Sequence, residues 1–295
     1  MTREMGDVEE FKLVVSRRKK RVSHIRNKCD SNVPLSVNDN ENDHFNDVNC
    51  ESLFGRLLET ETEFRDSLFA DNVFHCIKTS LNALNVSGIS EILCYGLGSF
   101  SSQKSAKYQL ALLLSLKNHY CSRVRVYDPI FTPIEMKLLT RFGLDVLNVN
   151  EEGKRIVEDD TTLVYMPHCS IHLINNFLYA NWGKRLSKCI LLTNSFSVVV
   201  DNLIASNVSV RVDYIVRIRP YVREITLRNN FPHEQVFNDL NIHIFLEEDI
   251  AKVPGNFWTE RKEPCYSNTI IDYFTVKQTE EIDAKNYNYL SRLTR

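Results

Sequence analysis

Between Ile89 and Leu192 five short apolar runs recur: Ile89–Tyr95, Val124–Tyr127, Asp145–Val149, Thr162–Tyr165 and Cys189–Leu192. Each stops at a turn-forming residue, and runs of this length with such stops read as buried strands. Helical segments alternate with them. Ser102–Tyr120 gathers Ala106, Leu110, Leu113 and Leu114 on one apolar face. In Thr132-Pro133-Ile134-Glu135, Thr132 suits a cap, Pro133 the first helical position, and Glu135 the capping-box spacing. That helix is expected to end at Gly143. Another begins near Ser170 and runs through Leu173, Phe177 and Leu178 to Trp182. Strands alternating with helices predict an α/β fold, Rossmann-like and doubly wound, with a mainly parallel sheet and helices on both faces.

The rhythm changes on either side of this block. After the fifth strand, Val212–Arg219 and Asn241–Phe245 alternate apolar with polar residues, which predicts antiparallel strands at the C-terminal edge of the sheet. Upstream, Glu51 to about Ser80 carries Leu53, Phe54, Leu57, Leu58, Phe64, Leu68 and Phe69 at helical spacings. Residues 1–50 read as a mostly disordered basic and polar tail. The run Arg17-Arg18-Lys19-Lys20-Arg21 precedes an Asn/Asp-rich stretch with too little apolar surface to offset ordering entropy. That run reads as a solvated charge cluster, with a nuclear-import or RNA-contacting patch as the alternative. Residues 51–250 then form the α/β domain, and 251–295 an extension without a clear period.

A chain of 295 residues is long enough for one large domain or two small ones, with a sizeable core. Its net charge of −2 favours neither nucleic acid nor an anionic membrane as a partner. No run approaches the roughly 20 apolar residues that span a bilayer, and the first residues carry no apolar signal segment. The eight cysteines are scattered, with no CxxC pair, so a reducing cytoplasmic or nuclear setting is expected.

In an open α/β sheet, ligands bind outside the carboxyl ends of the strands. The residues just past each run are Gly96, Gly98 and Ser99, then Asp128, then Asn150, Glu151 and Glu152, then His168 and Cys169, and last Asn194 and Ser195. Gly96-Leu97-Gly98-Ser99 would let backbone amides approach a phosphate, ribose or carboxylate. The dinucleotide fingerprint is incomplete, because Ser101 stands where its third glycine belongs and Asp128 lies farther downstream than that motif expects. His168 and His172 are four apart, a spacing that can put two imidazoles on one helix face, but no third metal ligand is near in sequence. Cys169 near a helix start is a site where a lowered thiol pKa is expected. Glu151-Glu152-Gly153 suits either a cationic or hydroxyl-bearing ligand or a plain acidic turn. Asn175, Asn176 and Asn181 cost helix propensity, so they are expected to bond neighbouring loops or a ligand, while Trp182 reads as core.

Several of these segments, in this order, resemble the sensitivity-to-red-light-reduced (SRR-like) family. They are Tyr95–Phe100, Gln109–Leu112, Tyr127–Pro129, Asn150–Gly153, Tyr165–Cys169, Ala180–Trp182, Asn194–Phe196 and Phe237–His243, spread over about residues 85–246. The resemblance implies a regulator linked to circadian clock input and to regulation of haem biosynthesis. It carries over no catalytic residue and no cofactor.

Two readings are open. In the first, the chain is a non-enzymatic regulator, cytoplasmic and nuclear, that binds protein partners or a small nucleoside-type ligand such as S-adenosylmethionine. In the second, it is similar to S-adenosylmethionine-dependent methyltransferases, with a glycine turn after the first strand, an acid after the second and an antiparallel pair after the fifth.

Overall fold

The computed structural model describes residues 39–158, 160–206 and 212–266. The chain divides into two units, Met1–Asn42 and Asp43–Arg295. Of the first, the described residues are only the opening of helix α1 (Asp39–Arg65). The basic run Arg17–Arg21, the greater part of the tail and residues 267–295 lie outside the described residues.

The five apolar runs form β1 (Glu91–Tyr95), β2 (Arg123–Tyr127), β3 (Asp145–Val146), β4 (Thr162–Met166) and β5 (Cys189–Asn194). They pair in parallel in the order β3-β2-β1-β4-β5. Two more strands, β6 (Arg223–Thr226) and β7 (Leu240–Ile244), complete the sheet, with β7 antiparallel to both β5 and β6. The full order is β3-β2-β1-β4-β5-β7-β6.

Alternation along each parallel strand sends side chains to two separate cores, as the two-residue period of a strand requires. Ile92, Cys94, Leu163, Tyr165, Ile190 and Leu192 face α1, α2 (Leu68–Ala83), α3 (Lys104–Tyr120) and α4 (Pro133–Arg141). Leu93, Tyr95, Val164, Met166 and Leu191 face α5 (Ile171–Ala180), α6 (Phe196–Ser206) and α7 (Asp213–Ile218). The sheet is therefore Rossmann-like, with helices on both faces and an antiparallel edge. The chain switches faces between β1 and β4, and the crevice at that switch point opens at the carboxyl ends of the strands.

The structure changes three details of the sequence reading. Val212–Arg219 is not a strand: it is α7 followed by a 3-10 turn, Arg219–Tyr221. Tyr214, Ile215 and Ile218 are buried on one helical stripe, and the Asn175 side-chain oxygen accepts from the Tyr214 and Ile215 backbone N–H groups at 2.9 and 3.3 Å. A cap supplied by a distant helix decides a segment whose short pattern suits either period. The edge strand is β6 instead. The helical stretch from Glu51 is two helices, split where the Ser67 hydroxyl accepts from Ala70 N–H, and α1 begins at Asp39, inside the span read as tail. In the extension, a short helix α8 (Glu247–Ile250) ends just before it and α9 (Gly255–Thr259) lies within it; Phe257 of α9 stacks on Trp182. Among the described residues no helix is long and apolar enough to cross a membrane.

Candidate functional site

Left-handed backbone collects at the C-terminal rim. Positive φ angles occur at Gly96 (67°), Gly98 (80°), Glu152 (51°), Gly153 (73°), His168 (52°) and Asp239 (56°), all on loops at that end of the sheet. Of the other positive-φ residues among those described, Asn85, Cys121 and Gly143 sit at helix C-termini, where a left-handed residue is routine, and Gly183 precedes a 3-10 turn. A left-handed His or Glu costs about 1–2 kcal/mol. Such strain persists only where the surroundings enforce it, and it gathers at functional sites.

At the centre of the rim lie two acids with opposite circumstances. Glu135 on α4 is fully buried. Its carboxylate accepts four hydrogen bonds, from Ser99 Oγ (2.9 Å), Ser101 N (2.8 Å), Thr132 N (2.9 Å) and Thr132 Oγ1 (3.1 Å). Burial alone would push its pKa up; the Thr132 and Ser101 N–H groups and the Ser99 and Ser101 hydroxyls outweigh it and hold the carboxyl below its usual range. Glu135 thus completes the capping box and also ties the glycine turn to α4. Sequence reading found only the cap.

Asp128, at the end of β2, is 9% exposed. Its two oxygens accept from Gly98 N at 2.8 Å and from Ile130 N at 3.0 Å. These do not offset burial, and Glu135 adds repulsion, so its pKa is raised. A carboxylate offers about four acceptor positions. Asp128 is buried beside the glycine turn and is less well satisfied than its neighbour.

Gly96 is glycine for a protein neighbour. A Cβ there would lie 2.2 Å from Cys169 Sγ, and that thiol donates to Tyr95 O at 3.1 Å. Burial, with Asp128 nearby, pushes the Cys169 thiol up, so the lowered pKa expected of a nucleophile is not found. His168 is exposed, and its Nε2 meets Val236 O at 3.0 Å. His172 turns instead to Ser170, the helix cap, with Nδ1 at 3.0 Å from Oγ. The two imidazoles do not share a helix face, since His168 precedes that cap. Among the described residues no group of three His, Cys, Asp or Glu side chains is placed to hold a metal.

The remaining expected residues are spread along the rim. Glu151 takes a two-point ion pair from Arg155 (2.6 and 2.8 Å) and a hydrogen bond from Tyr95 Oη (3.0 Å). Glu152 pairs with Lys154, which also reaches Glu263. Of the three asparagines of the α5 region, one bonds a helix end and two bond loops. Asn175 caps α7, Asn176 donates to Glu152 O, and Asn181 accepts from Val157 N and donates to Arg155 O. Ser195 caps α6 through Val198 N, and Asn194 ends β5 with its side-chain oxygen buried.

Next to Ser195 is a polar cluster that the sequence reading missed. Glu224 Oε2 accepts from Ser197 N and Oγ, and its Oε1 from Asn241 Nδ2. Fully buried His243 lies across from Glu224 on β7; its Nε2 accepts from Phe196 N at 3.3 Å and its ring stacks on Phe196. Desolvation pushes the His243 pKa down to about 4, against the opposing pull of Glu224. A ring that is neutral when folded and titrates near 6.5 when unfolded costs nothing at pH 7. As the pH falls below 6.5 only the unfolded chain takes up the proton, so stability drops by about 3 kcal/mol by pH 4. Urea unfolding between pH 7 and pH 4 should show this loss, and His243→Gln should flatten it; an equally steep loss in the variant would exclude His243 as its source.

Comparison with known proteins places these elements in a family. The SRR1 domain model matches residues 62–244, from α1 through the last residue of β7. An SRR1-like protein of Mus musculus is 33% identical, over 57% of this chain and 81% of that protein. An SRR1-like protein of Drosophila melanogaster is 32% identical, over 72% of this chain and 76% of that protein. Protein SENSITIVITY TO RED LIGHT REDUCED 1 of Arabidopsis thaliana is 37% identical over a shorter part, 36% of this chain and 40% of that protein. A crystal structure of a mutant MtNAS in complex with S-adenosylmethionine overlaps 70% of this chain and 80% of that one, with 14% identity and a TM-score of 0.34, too low to bear on ligand or mechanism. The family model spans every strand of the sheet and every rim loop described above, and the chain belongs to the SRR1 domain family.

Proposed function

We propose that this protein is a regulator that takes a small nucleoside-type ligand in the crevice between Gly98, Asp128 and His168 and passes its occupancy to protein partners. The observation that carries this reading is Asp128. A buried carboxylate with two N–H donors and a raised pKa is stabilised by two further hydroxyl donors, and a ribose diol supplies two. Its neighbour Glu135, with four donors, has no such need. The strained backbone along the same rim supports the choice of place. The process in which the regulator acts is the one the family resemblance implies, clock input and regulation of haem biosynthesis, in cytoplasm and nucleus; the Arabidopsis relative's name refers to red-light sensitivity.

A ligand present at a hundred times its Kd adds about 2.7 kcal/mol of stability. For a domain of this size that is a rise of about 5–10 °C in Tm. S-adenosylmethionine, S-adenosylhomocysteine and nucleotides, tested in turn, should include at least one that produces it. Asp128→Asn should remain folded and lose most of the shift. No shift from any nucleoside would sink the reading.

A methyltransferase-like enzyme is the second reading. It is favoured by the strand order, with its antiparallel β7, and by the acid after β2 bonded to the glycine turn. Release of S-adenosylhomocysteine from S-adenosylmethionine in the presence of cell extract, lost in Asp128→Asn, would choose it over the sensor.

A further inference from the structure

Past the last strand the chain returns over the molecule as a strap. Residues 255–266 comprise α9 and an irregular run from Glu260 to Tyr266, and they lie beyond the SRR1 match, which ends at residue 244. The strap crosses a face built from α5, the turn after it and α7, where its carbonyls meet side-chain donors. Trp182 Nε1 donates to Phe257 O at 3.1 Å, and Arg217 donates to Phe257 O and Glu260 O at 2.5 and 2.8 Å. Tyr214 Oη donates to Lys262 O at 2.6 Å and accepts from Lys262 N at 2.8 Å. At the far end Tyr266 Oη accepts from Asn175 Nδ2 at 3.0 Å, and its ring meets His172 edge-on. Among the described residues no backbone–backbone hydrogen bond joins the strap to the sheet or to α1–α7.

Burial across this contact is one-sided. Trp182, Tyr214 and Asn175 are buried, whereas no residue from 254 to 266 is. The packing is also incomplete: a cleft of about 410 Å³ is left between α7 and Thr259–Lys262. An interior would be close-packed there. Trp, Tyr and Arg, which make up most of the face, are the residue types that dominate binding energy at protein interfaces. We infer that the α5–α7 face is a docking site for a peptide segment of a partner protein, covered here by the chain's own residues 255–266. Because Trp182, Tyr214 and Arg217 read backbone groups, another sequence can take the strap's place. Its side chains need an aromatic ring to stack on Trp182, as Phe257 does at 4.9 Å, and a tyrosine spaced from it as Tyr266 is. Between them goes an arginine, since Arg261 lies over the Tyr179 ring at 4.6 Å and donates to Ala180 O at 3.2 Å. A strap held only through side chains opens locally while the sheet stays folded. Its competition weakens the partner in proportion to the time the face is covered. None of this depends on a ligand at the rim.

The probe is a fluorescent peptide with the sequence of residues 255–266, titrated into the full chain and followed by anisotropy. In the wild type the strap competes with it. Phe257→Ala combined with Tyr266→Ala removes both anchors from the strap and should tighten the peptide at least about tenfold. Adding Tyr214→Phe, which deletes the hydroxyl that holds Lys262 N and O, should weaken the peptide again by about fivefold or more. Circular dichroism checks that each variant is folded. Equal affinity for the wild type and the strap variant, or binding to neither, would make the strap a fixed part of the fold and overturn the proposal. Affinity indifferent to Tyr214→Phe would put the peptide elsewhere and overturn the choice of face. The wild type supplies a second measurement, in which the Lys262 amide should exchange with deuterium about a hundredfold faster than the amides of β5. Exchange at the β5 rate would mean that the strap leaves only when the sheet unfolds, which would also overturn the proposal.

Discussion

Replacing Glu135 by alanine is expected to destabilise the protein by about 3–5 kcal/mol, the scale at which one partner is removed from a buried, charged hydrogen-bond network. Its carboxylate is fully buried and accepts from two loops at once. Alanine would leave the Ser101 and Thr132 N–H groups without their acceptor and remove half of the capping box of α4. Glu135→Gln keeps the shape but brings an NH2 group to face donors, so about half of the loss should remain. Urea unfolding at constant m-value measures both. A loss below about 1 kcal/mol for alanine would mean that the glycine turn and α4 hold together without it.

The same residue has a signature in pH. The folded Glu135 carboxyl titrates below its unfolded value of 4.5. Its contribution is complete above that value and is lost as the pH falls through the lower folded pKa. Glu135→Gln removes this dependence. It does not touch the loss between pH 6.5 and 4 that comes from His243, so the two acid transitions are separable by variant.

Local features made one part of this architecture legible from sequence. The five apolar runs, the α4 cap at Thr132 and the stop at Gly143 are each written within a few consecutive residues, and the structure has all of them. The rim residues are those just past each strand, so locating them needs only the strand ends. The hidden part depends on partners far along the chain. The strand order comes from pairing, and nothing in Asn241–Phe245 says that it lies between β5 and β6. Asp213–Ile218 is helical because Asn175, 39 residues before Tyr214, caps it. The short run is otherwise neutral between helix and strand.

The site shows the same division. Asp128 is identifiable by position, but its burial beside Gly98, 30 residues earlier, is what raises its pKa against the two N–H donors it has. Glu135 reads as a helix cap and is also a tie to Ser99 and Ser101. The Glu224–His243 pair gives no local signal beyond its strand alternation and the place of His243 in the family-like Phe237–His243 segment. Burial and the cross-strand register make it titratable at low pH.

Gly96 and Cys169 offer the sharpest test of how the rim is built. Gly96→Ala puts a methyl group 2.2 Å from Cys169 Sγ on a backbone with φ of 67°. The left-handed angle alone costs an alanine about 1–2 kcal/mol. Displacing the thiol from its hydrogen bond to Tyr95 O brings the expected total to about 3–4 kcal/mol. In a Cys169→Ala background the nearest remaining atom is the residue-169 Cβ, at 3.7 Å, an ordinary contact. There Gly96→Ala should cost only its backbone part, giving a coupling of about 2 kcal/mol in the double-mutant cycle. Additive effects would mean that the thiol does not fill the hollow over Gly96. Cys169→Ala should also leave nucleoside binding within a few-fold of wild type, because the sulfur is packed against the strand end and its proton is held tightly. If ligand binding failed in that variant while the fold stayed intact, the thiol would belong to the site, and the crevice would have to be redrawn around Cys169 in place of Asp128.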